Sequence, residues 1–109
     1  MIAPATALVV AAGVLVQQWS PEHPGFDYAC RTGTDVYALA DGVISNRRSH
    51  TLGNIVELRG EHADYLYAHL HTVAEPGPVE MGDVIGTCGN TGAWSYGSHV
   101  HLEVDRRKR

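Results

Sequence analysis

Cysteine is scarce in this chain. Its two residues, Cys30 and Cys88, stand far apart with no Cys-x-x-Cys spacing, which argues against a thiolate zinc site. Two buried free thiols are the default expectation, and one disulfide is the alternative. Apolar runs long enough to span a bilayer are also missing. The stretch from Met1 to Val16 is broken by Pro4 and Gly13 and has no Lys or Arg ahead of it. It therefore reads neither as a membrane span nor as an export signal. It reads as two core strands, Leu8–Ala11 and Val14–Trp19, in a chain made without an export signal of its own. Basic charge is thin: half of the 8 Lys and Arg crowd into Asp105–Arg109, leaving 4 basic against 11 acidic residues over 1–104. No basic stripe crosses the fold, which argues against nucleic acid as a partner. The tail, 105–109, reads as a solvated, frayed end. Helical periodicity is scarce, and no repeat, linker or low-complexity segment is visible; at 109 residues the chain is expected to be one domain, 1–109, with its core at about 8–104.

What is present points to sheet. Twelve Gly and five Pro in 109 residues imply many turns, and short β-branched apolar runs lie between them. The expected strands are Ala7–Val10, Val14–Gln18, Asp27–Ala29, Asp35–Tyr37, Gly42–Asn46, Ile55–Arg59, Asp64–His69, Val84–Cys88 and His99–Val104. Asp41-Gly42 reads as a hairpin turn, and Glu75-Pro76-Gly77-Pro78 as a loop. The fold class is all-β, mostly antiparallel.

The chemistry is concentrated in histidine. In His99-Val100-His101-Leu102-Glu103, residues two apart share a strand face, so both imidazoles project into one space. His23 and Asp27, four apart, converge in the same way if their segment is extended. Two His and one Asp suit Zn²⁺, and three protein ligands with a fourth position left to water is the pattern of a catalytic zinc. His69-Leu70-His71 is a second His-x-His, and periodicity does not choose between the pairs. His50 and His62 sit in polar turn contexts. Glu103 shares a face with His101 and is either an acceptor that orients the imidazole or a strand-edge charge. No His-Glu-x-x-His helix motif exists here.

The segments Glu22-His23-Pro24-Gly25-Phe26-Asp27, Gly53-Asn54-Ile55-Val56, Tyr67-Ala68-His69-Leu70, Gly89-Asn90-Thr91-Gly92 and Gly97-Ser98-His99-Val100-His101-Leu102-Glu103 resemble, in that order, the lysostaphin/LytM-type zinc metallopeptidases of bacterial cell walls. The resemblance runs from about Gly13 to Val104. It implies a compact antiparallel fold with the metal in a loop-lined groove. It further implies one Zn²⁺ per chain held by His23, Asp27 and His101, with His69 and His99 as the catalytic pair. It selects His99/His101 over His69/His71 as the pair that supplies a ligand, and leaves His71 at the surface. Trp94 and Tyr96 become a groove wall, with core packing the competing role for Trp94. Their loop is one residue longer than common forms, and Ser98 replaces a frequent Pro, so groove shape is where this chain departs from the pattern.

The implied activity is zinc-dependent endopeptidase cleavage of peptidoglycan cross-bridges or stem peptides by a monomer at the cell wall. A phage endolysin or virion-borne lysin would fit, as would a domain cut from a longer secreted protein. The rivals are a catalytically inactive relative used as a binding or regulatory module and, more distantly, an unrelated metal-binding protein.

Overall fold

Alternating apolar and polar residues lay the chain out as antiparallel sheet. The computed structural model describes residues 2–107. In chain order its elements are α1 Thr6–Val9, β1 Val14–Gln17, β2 Phe26–Ala29, β3 Asp35–Tyr37, β4 Gly42–Ser49, β5 Gly53–Gly60, β6 Ala63–Leu70, β7 Gly77–Val79, β8 Val84–Thr87 and β9 His99–Arg106. Seven strands form one sheet in the order β1-β2-β9-β6-β5-β4-β7, and β3 pairs with β8 separately. Every strand pairing is antiparallel.

The two faces of the large sheet differ in chemistry. Phe26 and Tyr28 of β2, Val100 and Leu102 of β9, and Tyr67 of β6 point inward and are fully buried. Val36 of β3, Ile85 of β8, and Val9 and Val10 close over them from the other side. Each such side chain contributes roughly 1.5–3 kcal/mol by leaving water. The intervening residues, Asp27, His99, His101 and Glu103, are left on the outer face, where the site is built.

Two tyrosines brace the interior. Tyr67 Oη accepts the Leu39 N–H at 3.0 Å, and Tyr28 Oη donates to the Pro4 carbonyl at 2.9 Å. Burial raises both phenols, Tyr28 to about 12 and Tyr67 further. The folded state thus favours the neutral phenol. That stability is complete below the unfolded value of about 10 and is lost as pH rises through the folded values. From these two phenols, denaturation midpoints are expected to fall above pH ~10. In Tyr67→Phe the alkaline fall should be shallower, from a lower starting stability, since the Leu39 N–H loses its acceptor. An unchanged alkaline slope in that variant would refute the account.

Several elements differ from expectation. Of Ala7–Val10, expected as strand, Ala7–Val9 lie in the single turn of α1 and Val10 alone is extended, bridged to Val36; four apolar residues do not distinguish a turn of helix from a strand. Val9 and Val10 remain core residues. β1 forms, but as an edge strand beside β2, with Val14 and Val16 60% and 61% exposed, so Val14–Trp19 is not a core strand. Asp41-Gly42 is no hairpin: it links β3 to β4, which belong to different sheets, and Asp41 Oδ1 accepts the Met81 N–H. Gly77 and Pro78, expected as loop, form β7 on the outer edge of β4, where a missing N–H is tolerated. The tail is partly ordered. Asp105 and Arg106 continue β9, and Arg107 donates to Asp64 and to the Gly60 carbonyl; Lys108 and Arg109 lie outside the described residues.

The cysteines are not free thiols. Cys30, after β2, and Cys88, after β8, form a disulfide with Cα atoms 6.2 Å apart. Sequence gave no local signal for this because 58 residues separate them. Closing a loop of that length stabilises the fold by about 4 kcal/mol in the chain-entropy account.

Candidate metal and catalytic site

Register places the first two side chains. Asp27 of β2 lies directly opposite His101 of β9, and Ala68 of β6 flanks His101 on its other side. The small Ala68 leaves the face open there. His101 Nδ1 lies 2.8 Å from Asp27 Oδ1, and its Nε2 lies 3.0 Å from Glu103 Oε2. One imidazole is therefore held between two carboxylates.

His23 reaches the same point by another route. It does not lie on an extended segment, since β2 begins at Phe26. A tight turn carries it: Ser20 and His23 exchange backbone hydrogen bonds, and Ser20 Oγ also accepts the His23 N–H at 3.1 Å. His23 Nε2 then sits 3.1 Å from Asp27 Oδ2. Gly25 makes this possible. A Cβ there would lie 2.5 Å from His101 Cε1 and 2.8 Å from the Leu102 carbonyl oxygen.

His69 is the exception to strand parity. Tyr67 points into the core, so a regular strand would send His69 there too. Instead β6 holds one extra residue opposite β5, between the Asn54–Leu70 and Val56–Tyr67 pairs, and His69 has φ +64°. A bulge with a left-handed residue turns the ring onto the site face. Its Nδ1 is 2.7 Å from the Thr91 carbonyl, which can only accept, so Nδ1 carries the proton and Nε2 holds the lone pair. His99 repeats this: Nδ1 is 2.8 Å from the Gly97 carbonyl, and Nε2 is 4.0 Å from Asp27 Oδ1. The two rings are 4.8 Å apart.

Electrostatics follow the same contacts. Burial works to raise the Asp27 carboxyl, but the His101 hydrogen bond and the charges of His101, His23 and His99 hold it below its usual value. Burial works to lower His101, but hydrogen bonds to Asp27 and Glu103 overcome it and leave it raised. Burial lowers His69, more than the Thr91 hydrogen bond restores. His69 thus favours the neutral ring that a base requires.

One nitrogen each from His23 and His101 and an oxygen of Asp27 lie within 4.8 Å of one another. Zinc bonds of about 2.0–2.2 Å in a tetrahedron set neighbouring donors roughly 3.3 Å apart. His101 Nδ1 lies 2.8 Å from Asp27 Oδ1 and His23 Nε2 lies 3.1 Å from Asp27 Oδ2, so both imidazoles border the same carboxylate at close to that spacing. The donor set, two imidazoles and a carboxylate, suits that ion. Among the described residues, the buried His23 Nδ1 lacks a hydrogen-bond partner, so no competing hydrogen bond ties that ring in place.

The cluster lines a cleft of about 280 Å³ that also touches Leu52, Trp94 and Glu103. A second cleft of about 400 Å³ continues past Trp94 and Tyr96 toward Val16. A trough of about 830 Å³ crosses β4, β5, β6 and β9 and meets the first at Pro24 and Glu103. Trp94 and Tyr96 are 64% and 93% exposed, so Trp94 does not pack in the core. His50, His62 and His71 are exposed.

Some supporting residues carried no assigned role in the sequence reading. Thr91 Oγ1 accepts the Asn54 N–H and donates to the Leu70 carbonyl, while Asn54 Nδ2 donates to the carbonyls of Leu70 and His71. Together they lock the bulge that aims His69. Gly25, Asn54 and Thr91 all fall within the segments that carried the family resemblance, which was their available signal.

Fold and site together define a metallopeptidase scaffold built on antiparallel sheet. Residues 21–109 match the model of peptidase family M23, and the chain belongs to that family. It is 45% identical over 85 residues to the DD-carboxypeptidase/endopeptidase Mpg of Neisseria meningitidis, covering 75% of this chain and 20% of that protein. The chain thus spans about a fifth of that relative's length. A zinc-containing peptidase from Vibrio cholerae superposes with a TM-score of 0.73 at 30% identity, covering 92% of this chain and 34% of that one. The catalytic domain of lysostaphin from Staphylococcus simulans gives a TM-score of 0.72 at 28% identity, over 80% of this chain and 69% of that one.

Proposed function

We propose that this chain is a zinc-dependent endopeptidase that cuts peptide cross-links in bacterial peptidoglycan, working as a monomer with one ion per chain. The observation that carries the reading is the convergence of His23 Nε2, Asp27 and His101 Nδ1 beside the lone pairs of His69 and His99. The first three hold the metal; the last two handle protons. Similarity to a DD-carboxypeptidase/endopeptidase favours a DD-type cross-link over glycyl bonds.

When bound there, zinc supplies Lewis-acid polarisation of the scissile carbonyl and an acidified water, with a pKa near 7 instead of about 15.7. The chain's own residues do the rest. Glu103 keeps the proton on His101 Nε2, which frees Nδ1 to act as ligand. Asp27 supplies negative charge, which His101, His23 and His99 favour against the opposing effect of burial. His69 and His99, with Nδ1 committed to backbone carbonyls, offer Nε2 to the attacking water. Once protonated, the same nitrogens donate to the developing oxyanion. Trp94 and Tyr96 wall the cleft, and the trough over β4, β5, β6 and β9 seats the peptide arms. The inactive-module reading is disfavoured because all five residues are present and assembled.

Purified peptidoglycan incubated with the protein is expected to release new amino groups without new reducing sugar ends, since the reacting groups are a metal donor set and two imidazoles, not the flanking carboxyl pair that glycoside hydrolysis usually needs. Chelation should stop the reaction, and Zn²⁺ should restore it. Activity should fall in acid, where protons compete for the ligand nitrogens. Reducing ends without amino groups, or turnover indifferent to chelation, would contradict the assignment.

A further inference from the structure

We propose that Asn90 is a positioning residue that sets the tautomer of His99, an inference that rests on the proposed peptidase function. The loop between β8 and β9 holds Gly97 at φ +117°, and residues 90–98 lie outside any strand. Its first half is pinned to the β4–β5 turn by Ala93 N–H to His50 and Trp94 N–H to Thr51. Its second half is gathered by one side-chain oxygen. Asn90 Oδ1 accepts the Ser95 hydroxyl at 2.5 Å and the Gly97 N–H at 3.0 Å.

This grip orients the Gly97 peptide. With its N–H on Asn90, the Gly97 carbonyl meets His99 Nδ1 at 2.8 Å. Ser95 Oγ, its proton given to Asn90, is left 3.4 Å from the same nitrogen with only lone pairs to offer. Both neighbours of Nδ1 are then acceptors, so the ring proton stays on Nδ1. Nε2 is left unprotonated on the side of Asp27. The amide orientation of Asn90 is settled by the same contacts, because a flipped NH₂ would oppose the Gly97 N–H.

Without Asn90, Ser95 regains a free hydroxyl proton. That proton can go to the Gly97 carbonyl at 3.2 Å, where it competes with Nδ1–H for the same acceptor, or to Nδ1 itself at 3.4 Å; both weaken the hold on Nδ1–H and favour the opposite tautomer with Nε2–H facing the site. A base presented as a donor cannot take a proton from water. Asp at this position keeps both acceptor roles; Ala keeps neither.

The test is nitrogen-15 NMR of the zinc-loaded protein, read with steady-state kinetics on a cross-linked peptide. Wild type should show His99 protonated at Nδ1. Asn90→Ala should shift population toward Nε2–H, keep one zinc per chain, and lose kcat by on the order of 100-fold with little change in KM. Asn90→Asp should restore both tautomer and turnover. Ser95→Ala, which removes the competing donor, should keep Nδ1–H; combined with Asn90→Ala it should recover much of the lost turnover. If Asn90→Ala does not fold, wild-type Nδ1–H together with faithful rescue in Asn90→Asp supports the proposal, and loss of the tautomer in Asn90→Asp overturns it. Wild-type tautomer and kcat in Asn90→Ala overturn it directly. A wild type without zinc-dependent turnover would remove the functional reading instead and leave the ring assignment standing, since the spectrum needs no substrate.

Discussion

Asp27→Ala and His101→Ala should each lose zinc and turnover together, whereas His69→Ala should keep its zinc and lose only turnover. The separation follows from geometry. Asp27 touches both other members of the donor set, at 2.8 Å to His101 and 3.1 Å to His23. On the proposed assignment its removal deletes a ligand and the charge that balances two imidazoles. Zinc affinity should fall by more than the 10- to 100-fold (roughly) typical of an outer-shell partner. His69 has Nδ1 on the Thr91 carbonyl and packs against His99, outside the donor set. Its loss should lower kcat by about 10²–10⁴, the range for a general acid–base group. Metal analysis beside peptide hydrolysis decides the matter. A metal-free His69→Ala with a normally loaded His101→Ala would invert the assignment.

Gly25→Ala should disable the site without removing any polar group. The added methyl would lie 2.5 Å from His101 Cε1 and 2.8 Å from His101 Nε2, where non-bonded carbon atoms prefer about 3.5–4.0 Å. The Leu102 carbonyl oxygen, also at 2.8 Å, belongs to the backbone of β9 and cannot swing aside. The imidazole must therefore shift by roughly 1 Å, away from the line joining Asp27 to Glu103. Displacement on that scale costs on the order of 100-fold in rate, and overpacking costs about 1–3 kcal/mol of stability. Calorimetry and zinc titration of the variant read both effects. Wild-type zinc affinity in a folded Gly25→Ala would mean that the ring has slack absent from this geometry.

These expectations show which parts of the protein were legible in its sequence. The strands of the large sheet were, because residues alternate between an apolar face and a polar one. β9 is the clearest case: Val100 and Leu102 go in, and His99, His101 and Glu103 come out. Parity also brought His23 to Asp27, but the real agent is the Ser20–His23 turn. His69 lay beyond reach of any local rule. Alternation sends it into the core with Tyr67, and only contacts to Leu52 and Thr91, made across the fold, hold the left-handed turn that reverses it. α1 and β7 were missed because three or four residues are too few to show a period. The Cys30–Cys88 pairing stood only as an alternative to free thiols for the same reason as the bulge: it depends on tertiary placement.

That pairing makes the strength of the fold depend on where the chain resides. Reducing compartments keep thiols apart, and oxidising ones join them. Cys30 directly follows the strand bearing Asp27, and Cys88 precedes by two residues the asparagine that organises the loop before His99. The bond therefore fastens together the two segments between which the donor set and the proton-handling pair must align. In a reducing cytosol the same polypeptide forgoes about 4 kcal/mol, a large share of the roughly 5–15 kcal/mol that holds an ordinary domain folded. Oxidation then acts as a maturation step, and the sturdier form of the domain arises only in an oxidising compartment.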